Sequence, residues 1–462
     1  MNSTSTLASP NPETKGPILM RLMMLTVMMS SMSALLFHAV LPQISREFGL
    51  SLAEASWLSS SYALIYAFGT VTYGKLADRF QLRSLLTFGL LLFAAGSFVG
   101  LVSHSFPAAL LGRCLQSAGA AAIPAAALLI PVKYFPPERR GRAFGMTAVG
   151  LAIGGALGPV VSALIISVAH WRWLFMPSLL LLLLLPLYRK HLDLEAKDTR
   201  PSFDWLGGAL LAAGTASLLL GVTSLHGAYL LAAGGLLLLF AIRIRYAKEP
   251  FIDPALFQNG KYTAALAAAF LVSGIGVSLY FLSPVLLADV HHLSSTWIGF
   301  AMVPAAAASA LLGRKAGRLA DRKGNAYLIT IAAGLLNACF LLLSTFAGSP
   351  PWVVSLVLAL GNVGQSFYQI AMSHLVSQSL PKDRTGVGMG LFSMTGFLAQ
   401  GMASGIYGIM ALQGASVGWN PFQGNDSAIG FSNLYLALAL LHGLMWCAYR
   451  MAAAGEKGAW EG

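Results

Sequence analysis

A six-residue phrase occurs twice in this chain, as Gly74-Lys75-Leu76-Ala77-Asp78-Arg79 and as Gly317-Arg318-Leu319-Ala320-Asp321-Arg322. Each copy is a short charged loop between two long apolar stretches. The repeat ties the second half of the chain to the first, element by element, and marks a duplicated membrane unit.

Composition bears on the kind of unit. Of 462 residues, 56% are hydrophobic and 10% charged, against roughly 25% charged in a soluble domain. A bilayer is therefore the expected solvent, and a duplicated unit within it is the layout of a secondary transporter. At about 20 apolar residues per crossing, spans are predicted near 18–41, 55–74, 84–103, 107–132, 143–167, 172–188, 205–224 and 227–243. The second half adds 262–288, 296–315, 326–346, 351–373, 386–412 and 431–449, for a total of about fourteen.

Charge asymmetry orients these spans. With both termini inside, the loop lysines and arginines from Lys75 to Arg384 fall on cytoplasmic loops. Of the 29 basic residues only Arg46 and Arg172 face out, and only Arg113 lies within a span. The net charge of +12 thus reports topology and contact with anionic membrane lipid, not a nucleic-acid partner. Cys114, Cys339 and Cys447 fall inside spans without metal-ligand spacing, so no metal site is expected.

The repeated loops follow the second and tenth spans, so two spans are inserted between the halves. The expected architecture is all-α and integral to the membrane, with two six-helix bundles plus two inserted helices. It divides into a cytoplasmic N-tail at 1–17, a bundle at 18–188, a linker with the inserted helices at 189–261, a second bundle at 262–450, and a C-tail at 451–462.

Several residues point to mechanism. In the loops, Gly74 and Gly317 allow close turns, Asp78 and Asp321 can meet a helix N-terminus or a base, and Arg79, Arg83 and Arg322 can pair across helices as a gate. Arg113 lies about 9 Å below the outer end of its helix. A charge inside a span marks a substrate or coupling site, and Gln116 shares its face. His38, at the outer end of the first span, is a candidate proton carrier at similar depth. Tyr62, Tyr66, Gln365, Gln369 and Gln400 offer aromatic surface and uncharged hydrogen bonding for a central cavity. Gly150, Gly154 and Gly158 form one smooth helix face, and Pro159 bends or frees the backbone beside it. All 17 acidic residues fall in loops, tails or helix ends, leaving no carboxylate in the middle of a span.

Beyond the repeated loop, the chain shows Arg113-Cys114-Leu115-Gln116-Ser117-Ala118-Gly119-Ala120-Ala121, Gly154 to Pro159, Trp171-Arg172-Trp173-Leu174-Phe175, Asp204-Trp205-Leu206-Gly207 and Pro250-Phe251-Ile252-Asp253-Pro254. As a set these resemble the major facilitator superfamily, in its fourteen-helix drug/proton antiporter branch. The resemblance is closest to the tetracycline efflux proteins of Gram-positive bacteria, notably across 73–160 and 249–324. It implies alternating access between two bundles, a functional monomer in the bacterial cytoplasmic membrane, and no cofactor. The Gly154 to Pro159 motif implies the outward direction. The tetracycline exporters carry acids at positions that here read Ala34, Gly155 and Gln400, which argues against a cationic metal-tetracycline cargo.

The expected function is proton-coupled export of a small amphipathic organic compound, a drug or secondary metabolite. No enzyme activity is expected, and no phosphate-binding loop is present to use ATP. Two alternatives stand beside it. One is a dedicated exporter of an anionic or zwitterionic metabolite such as a metal chelator, with or without protons. The other is a non-transporting membrane receptor or regulator, for which the tails are short.

Overall fold

A computed structural model describes residues 12–37, 40–50, 52–193, 204–381, 384–412 and 417–458. His38, Lys197, Arg200, Lys382, most of the N-tail and the end of the C-tail lie outside the described residues. The regular structure within them is helical, as lipid demands: with no water to satisfy backbone groups, each crossing must close its own hydrogen bonds.

In chain order the helices are α1 (Pro12–Leu35), α2 (Leu41–Phe48), α3 (Leu52–Arg79), α4 (Leu82–Leu101), α5 (Phe106–Ala120), α6 (Ala122–Tyr134), α7 (Arg140–Val168), α8 (Met176–Leu179) and α9 (Leu185–His191). The inserted pair is α10 (Trp205–Ser224) and α11 (Gly227–Tyr246). There follow α12 (Gly260–Gly276), α13 (Ser278–Asp289), α14 (Ser295–Lys323), α15 (Asn325–Phe346), α16 (Pro351–Ser379), α17 (Thr385–Leu412) and α18 (Ile429–Gly458).

Among the described residues, eleven helical stretches are long and apolar enough to cross a membrane, and the bent α14 brings the number to twelve. The expected fourteen also needs α3 and α17. Each is 28 residues long, but Ser, Thr and Tyr in α3 and seven glycines in α17 lower their hydropathy, so fourteen crossings are not established. The first span also differs from expectation: α1 ends at Leu35, and a separate short helix starts at Leu41. The left-handed Gly49 (φ +63°) ends that short helix.

Local chemistry sets several ends. Ser105 Oγ accepts from the Ala108 amide at 3.4 Å and starts α5. Asn259 Oδ1 accepts from Lys261 and Tyr262 at 3.1 and 3.2 Å and starts α12. Two paths are interrupted, at Ala121 between α5 and α6 and at Val277 between α12 and α13.

The Trp171 to Phe175 stretch forms a 3-10 turn that caps one end of the first half. The Trp171 indole, fully buried, donates to Glu47 Oε2 at 2.5 Å, and Arg172 Nη1 donates to Glu47 Oε1 at 2.8 Å. Arg172 Nε also donates to the Ser103 carbonyl. Partial burial pushes the Glu47 carboxyl up, but these hydrogen bonds and the charges of Arg172 and His170 outweigh it and hold it below the ordinary carboxylate value. Its contribution to this cap is therefore present at neutral pH and is lost only as pH falls below the ordinary carboxylate range.

Candidate functional site

The two repeated phrases are not loops but the helical ends of α3 and α14, because each glycine there packs against backbone rather than making a turn, and both end in the same construction. The Asp78 carboxylate accepts from the Gly386 and Val387 amides at 2.6 and 2.8 Å, at the first turn of α17. The Asp321 carboxylate accepts from the Gly141 and Arg142 amides at 2.8 and 3.0 Å, at the first turn of α7. A helix N-terminus carries unpaired amides and partial positive charge, so a carboxylate placed there is stabilised twice. Each acid reaches into the opposite half of the sequence.

Glycines permit the approach. A Cβ on Gly74 would collide with the Gly386 carbonyl, and one on Gly317 with the Gly141 carbonyl. A Cβ on Gly145 would lie 2.6 Å from the Gly313 carbonyl, and one on Gly390 2.9 Å from the Thr70 carbonyl. Backbone thus meets backbone where α3 crosses α17 and where α7 crosses α14. The predicted gate arginines are arranged unequally. Arg79 pairs with Glu249 at 2.8 Å, Arg322 is exposed, and Arg83 is half-buried with no ion pair among the described residues.

The linker after α11 covers the first crossing. Lys75 Nζ donates to the Pro250 carbonyl at 2.9 Å, Phe251 is fully buried and stacks on Phe68, and Asp253 pairs with Arg384 at 2.9 Å. Asp204 anchors this segment. It accepts from the Gly207 amide at 3.0 Å and the Phe251 amide at 3.3 Å, and pairs with Arg243 at 3.1 Å. The Asp204-to-Gly207 and Pro250-to-Pro254 motifs are therefore one assembly, which sequence reading did not join.

Deeper in the first half, Arg113 is fully buried. Its guanidinium lies between the Phe37 and Tyr62 rings, 4.3 and 4.1 Å from their centroids. Nη1 donates to Gln116 Oε1 at 2.6 Å and Nε to the Leu58 carbonyl at 3.3 Å, while Nη2 has no partner among the described residues. Gln116 Nε2 passes the network to Ser97 and Ser178 at 2.8 and 3.2 Å. Among the described residues no carboxylate touches Arg113. Tyr62 stacks on Tyr66 at 5.8 Å, and Tyr66 meets Phe397 of α17 edge-on at 4.8 Å, so an aromatic chain runs from Arg113 to the second half.

A family model described as Major Facilitator Superfamily matches residues 23–404. The chain belongs to the Major Facilitator Superfamily. It is similar to the riboflavin transporter RibZ of Clostridioides difficile (strain 630), with 25% identity across 78% of this chain and 81% of that one. It is similar also to multidrug resistance protein 3 of Bacillus subtilis (strain 168), with 26% identity across 75% of this chain and 70% of that one. In fold it resembles the proton:xylose symporter XylE, with a TM-score of 0.64 and 16% identity over 95% of each chain. This superfamily member is a multi-pass membrane transporter.

The remaining predicted residues divide between the halves of the transporter. Gly150 and Gly154 lie against the Met24 and Met28 carbonyls, and Gly158 against Leu35, so the glycine face of α7 packs on α1; Pro159 follows in the same helix. Gln365 Oε1 is buried without a partner among the described residues, its amide against Gly276 at the α12 break, whereas Gln369 is exposed. Gln400 turns back to the Gly396 carbonyl of its own helix at 3.2 Å. Phe37, Phe397 and His374 also occupy these contacts and were not singled out from sequence. Phe37 and Phe397 carry no pattern that separates them from 25 phenylalanines in all.

Proposed function

We propose that this transporter exports a small amphipathic organic compound from the bacterial cytoplasm by alternating access, driven by protons. The division into bundles at 18–188 and 262–450, joined by the 189–261 linker, follows the repeat. The face bearing Asp78 and Asp321 is the cytoplasmic one, because the loop lysines and arginines collect there. The observation that carries the reading is the pair of aspartate-capped glycine crossings. Both seal the same face, and both are held by few, charge-assisted contacts that a rocking motion would break together.

Arg113 and Gln116, flanked by Tyr62 and Tyr66, are the proposed substrate or coupling site; Gln365, Gln369 and Gln400 are proposed for it from the second half by residue type alone, since Gln369 is exposed and Gln400 bonds its own helix. Gly150, Gly154, Gly158 and Pro159 form the packing seam that keeps α1 and α7 sealed. The outward direction rests on the Gly154-to-Pro159 resemblance, and relatives named for multidrug resistance support it.

A second reading, a dedicated exporter of an anionic or zwitterionic metabolite, is favoured by one observation. Among the described residues, Arg113 is a buried cation with no acidic partner and one unpaired nitrogen, between two ring faces. A planar ligand bearing an anionic group would satisfy all three features. One experiment tests both readings. The purified protein is reconstituted in liposomes and internal pH is followed while cationic, zwitterionic and anionic compounds are added. Substrate-dependent proton movement that Arg113→Ala abolishes is the expected result; preference for anions selects the second reading. Flux without a proton signal would remove proton coupling.

A further inference from the structure

Alternating access between two bundles does not require α10 and α11, and their packing shows what they are attached to. α10 lies along α17 and meets α3 more briefly, while α11 packs on α10 and turns most of its surface outward. The seam with α17 is close: a Cβ on Gly405 would stand 2.5 Å from Thr223 Cγ2, and one on Gly401 2.9 Å from Leu219 Cδ1. Glycines four apart give α17 a flat face on which α10 sits, held by shape rather than by charge. A slide of one residue would lose that fit, so the inserted pair is fixed to the second half.

The strap that leaves α11, residues 249–253, is bound to this pair and to the second half. Asp204 Oδ1 accepts from the Gly207 amide at the start of α10 and from Arg243 Nε near the end of α11, at 3.0 and 3.2 Å. Its Oδ2 accepts from the Phe251 amide at 3.3 Å, and the side chain is 2% exposed. The Phe251 ring lies on α10 at Gly208, where a Cβ would come 3.2 Å from Cε2. Beyond it, Ile252 and Leu256 are buried in the same apolar cluster as Tyr262, Ala265 and Leu266 of α12, and Asn259 Nδ2 donates to the Ser379 carbonyl at the end of α16 at 2.9 Å. Toward the first half the strap makes contacts of another kind, each on α3. Phe251 stacks on Phe68 at 6.1 Å, Lys75 donates to the Pro250 carbonyl, and Arg79 pairs with Glu249. Parting these costs less, because the ion pair is already partly exposed and Lys75 regains water at the loop face. Parting the strap from α10 would strand a buried carboxylate.

We propose that α10, α11 and the strap are a moving part of the second half, a latch that grips α3 while the cytoplasmic gate is closed and is carried away with α17 when it opens. The inserted helices supply the arm and Phe251 the catch: its ring keeps its seat on α10 and leaves Phe68. The latch adds to the closure that the two aspartates provide, at the first crossing alone. The proposal rests on the alternating-access reading above.

Spin labels at three exposed positions, Ser84→Cys on α4, Arg245→Cys on α11 and Ala326→Cys on α15, are introduced two at a time, with Cys114, Cys339 and Cys447 replaced by alanine. Distances are measured by pulsed dipolar spectroscopy on the full-length protein in lipid nanodiscs, with the native gate and with the gate loosened by Asp78→Asn and Asp321→Asn together. In the loosened protein the Ser84–Ala326 pair should gain a longer population, and the Ser84–Arg245 pair should gain one in the same proportion. The Arg245–Ala326 distance should stay single and unchanged. If it splits while Ser84–Arg245 holds, the inserted pair belongs to the first half and the proposal is overturned; an arm that moves against both halves overturns it as well. Phe251→Ala, with both aspartates present, should raise the open-to-closed ratio of the Ser84–Ala326 pair roughly thirtyfold, the packing of one phenylalanine that a linker partly refills. A ratio equal to that of the native gate removes the catch and with it the latch. If Phe251→Ala fails to fold, Phe68→Ala deletes the other ring, leaves the Asp204 anchorage in place and should give the same rise. If the loosened protein shows no longer Ser84–Ala326 population, the gate reading fails and takes the latch with it.

Discussion

The two crossings share one device and differ in what reinforces it. At the first, Asp78 holds α17, and the linker lays Glu249, Pro250, Phe251 and Asp253 over the joint. At the second, Asp321 holds α7, and reinforcement comes from His374, Asn325 and the Pro137 carbonyl. The shared part is backbone amides and a carboxylate, which duplication preserves in both copies. The unshared parts lie where the halves differ: one exists because two helices were inserted, the other because a histidine ends α16. On the proposed reading, a duplicated gate built this way would open as one unit while being tuned separately at each joint.

The largest effect should come from bulk where backbones touch. Gly386→Val and Gly317→Val each place a side chain against a carbonyl that cannot retreat, at about 3 kcal/mol or more against closure. Flux in proteoliposomes should fall roughly a hundredfold in both, since 1.36 kcal/mol is a factor of ten. If one variant were nearly normal, the crossings would not be equivalent and the comparison would fail at its root. Next is Phe251→Ala, which opens a gap beside Phe68 at the first crossing only. A cost of about 2 kcal/mol is expected, below that of a rigid core phenylalanine because a linker can collapse into the space. Cysteine labelling on the loop face would show the first crossing loosened and the second unchanged.

Much of this was legible in the sequence, for identifiable reasons. The repeated Gly-x-Leu-Ala-Asp-Arg phrase located both joints, because glycine and aspartate there do local work that spacing reveals. Arg113 and Gln116 stood out because a charge inside an apolar span has few explanations, and the structure brings them into one hydrogen bond. Other contacts were not legible. The expected partner for the loop acids was a base or some helix end, and only the fold shows that each acid takes the N-terminus of a helix in the other half. His374 escaped notice because its partners are a main-chain carbonyl and an amide distant in sequence. The break between α1 and α2 was not legible because the sequence there, Leu36-Phe37-His38-Ala39-Val40, is as apolar as the helix before it, and the count of fourteen is not confirmed because small and hydroxylic residues lower the hydropathy of α3 and α17.

Asp321→Asn and Asp78→Asn probe the shared device with a smaller change. Asparagine keeps an acceptor but loses the charge at the helix terminus, so about 1–2 kcal/mol of gate closure should go. The Asp78 variant should be the milder, because the clasp still holds α17 through Arg384 and Asp253. Spin-label populations across each crossing would rank them, and equal losses would mean that the clasp adds nothing.

The smallest effect is expected at the Arg79–Glu249 pair. Its carboxylate side chain is 46% exposed, and an ion pair in that setting contributes under about 1 kcal/mol because water screens it and both side chains must be ordered. Glu249→Gln should therefore raise the labelling rate at the first crossing by no more than about threefold, and 0.5 M salt should remove the difference by screening the wild-type pair. The salt control separates this pair from the Asp78 contact, which is half-buried and made to backbone amides that salt screens less. If Glu249→Gln proved as damaging as Asp78→Asn, and insensitive to salt, the linker would be the principal closure of the first crossing. The aspartate-capped helix would then be a device of the second crossing alone.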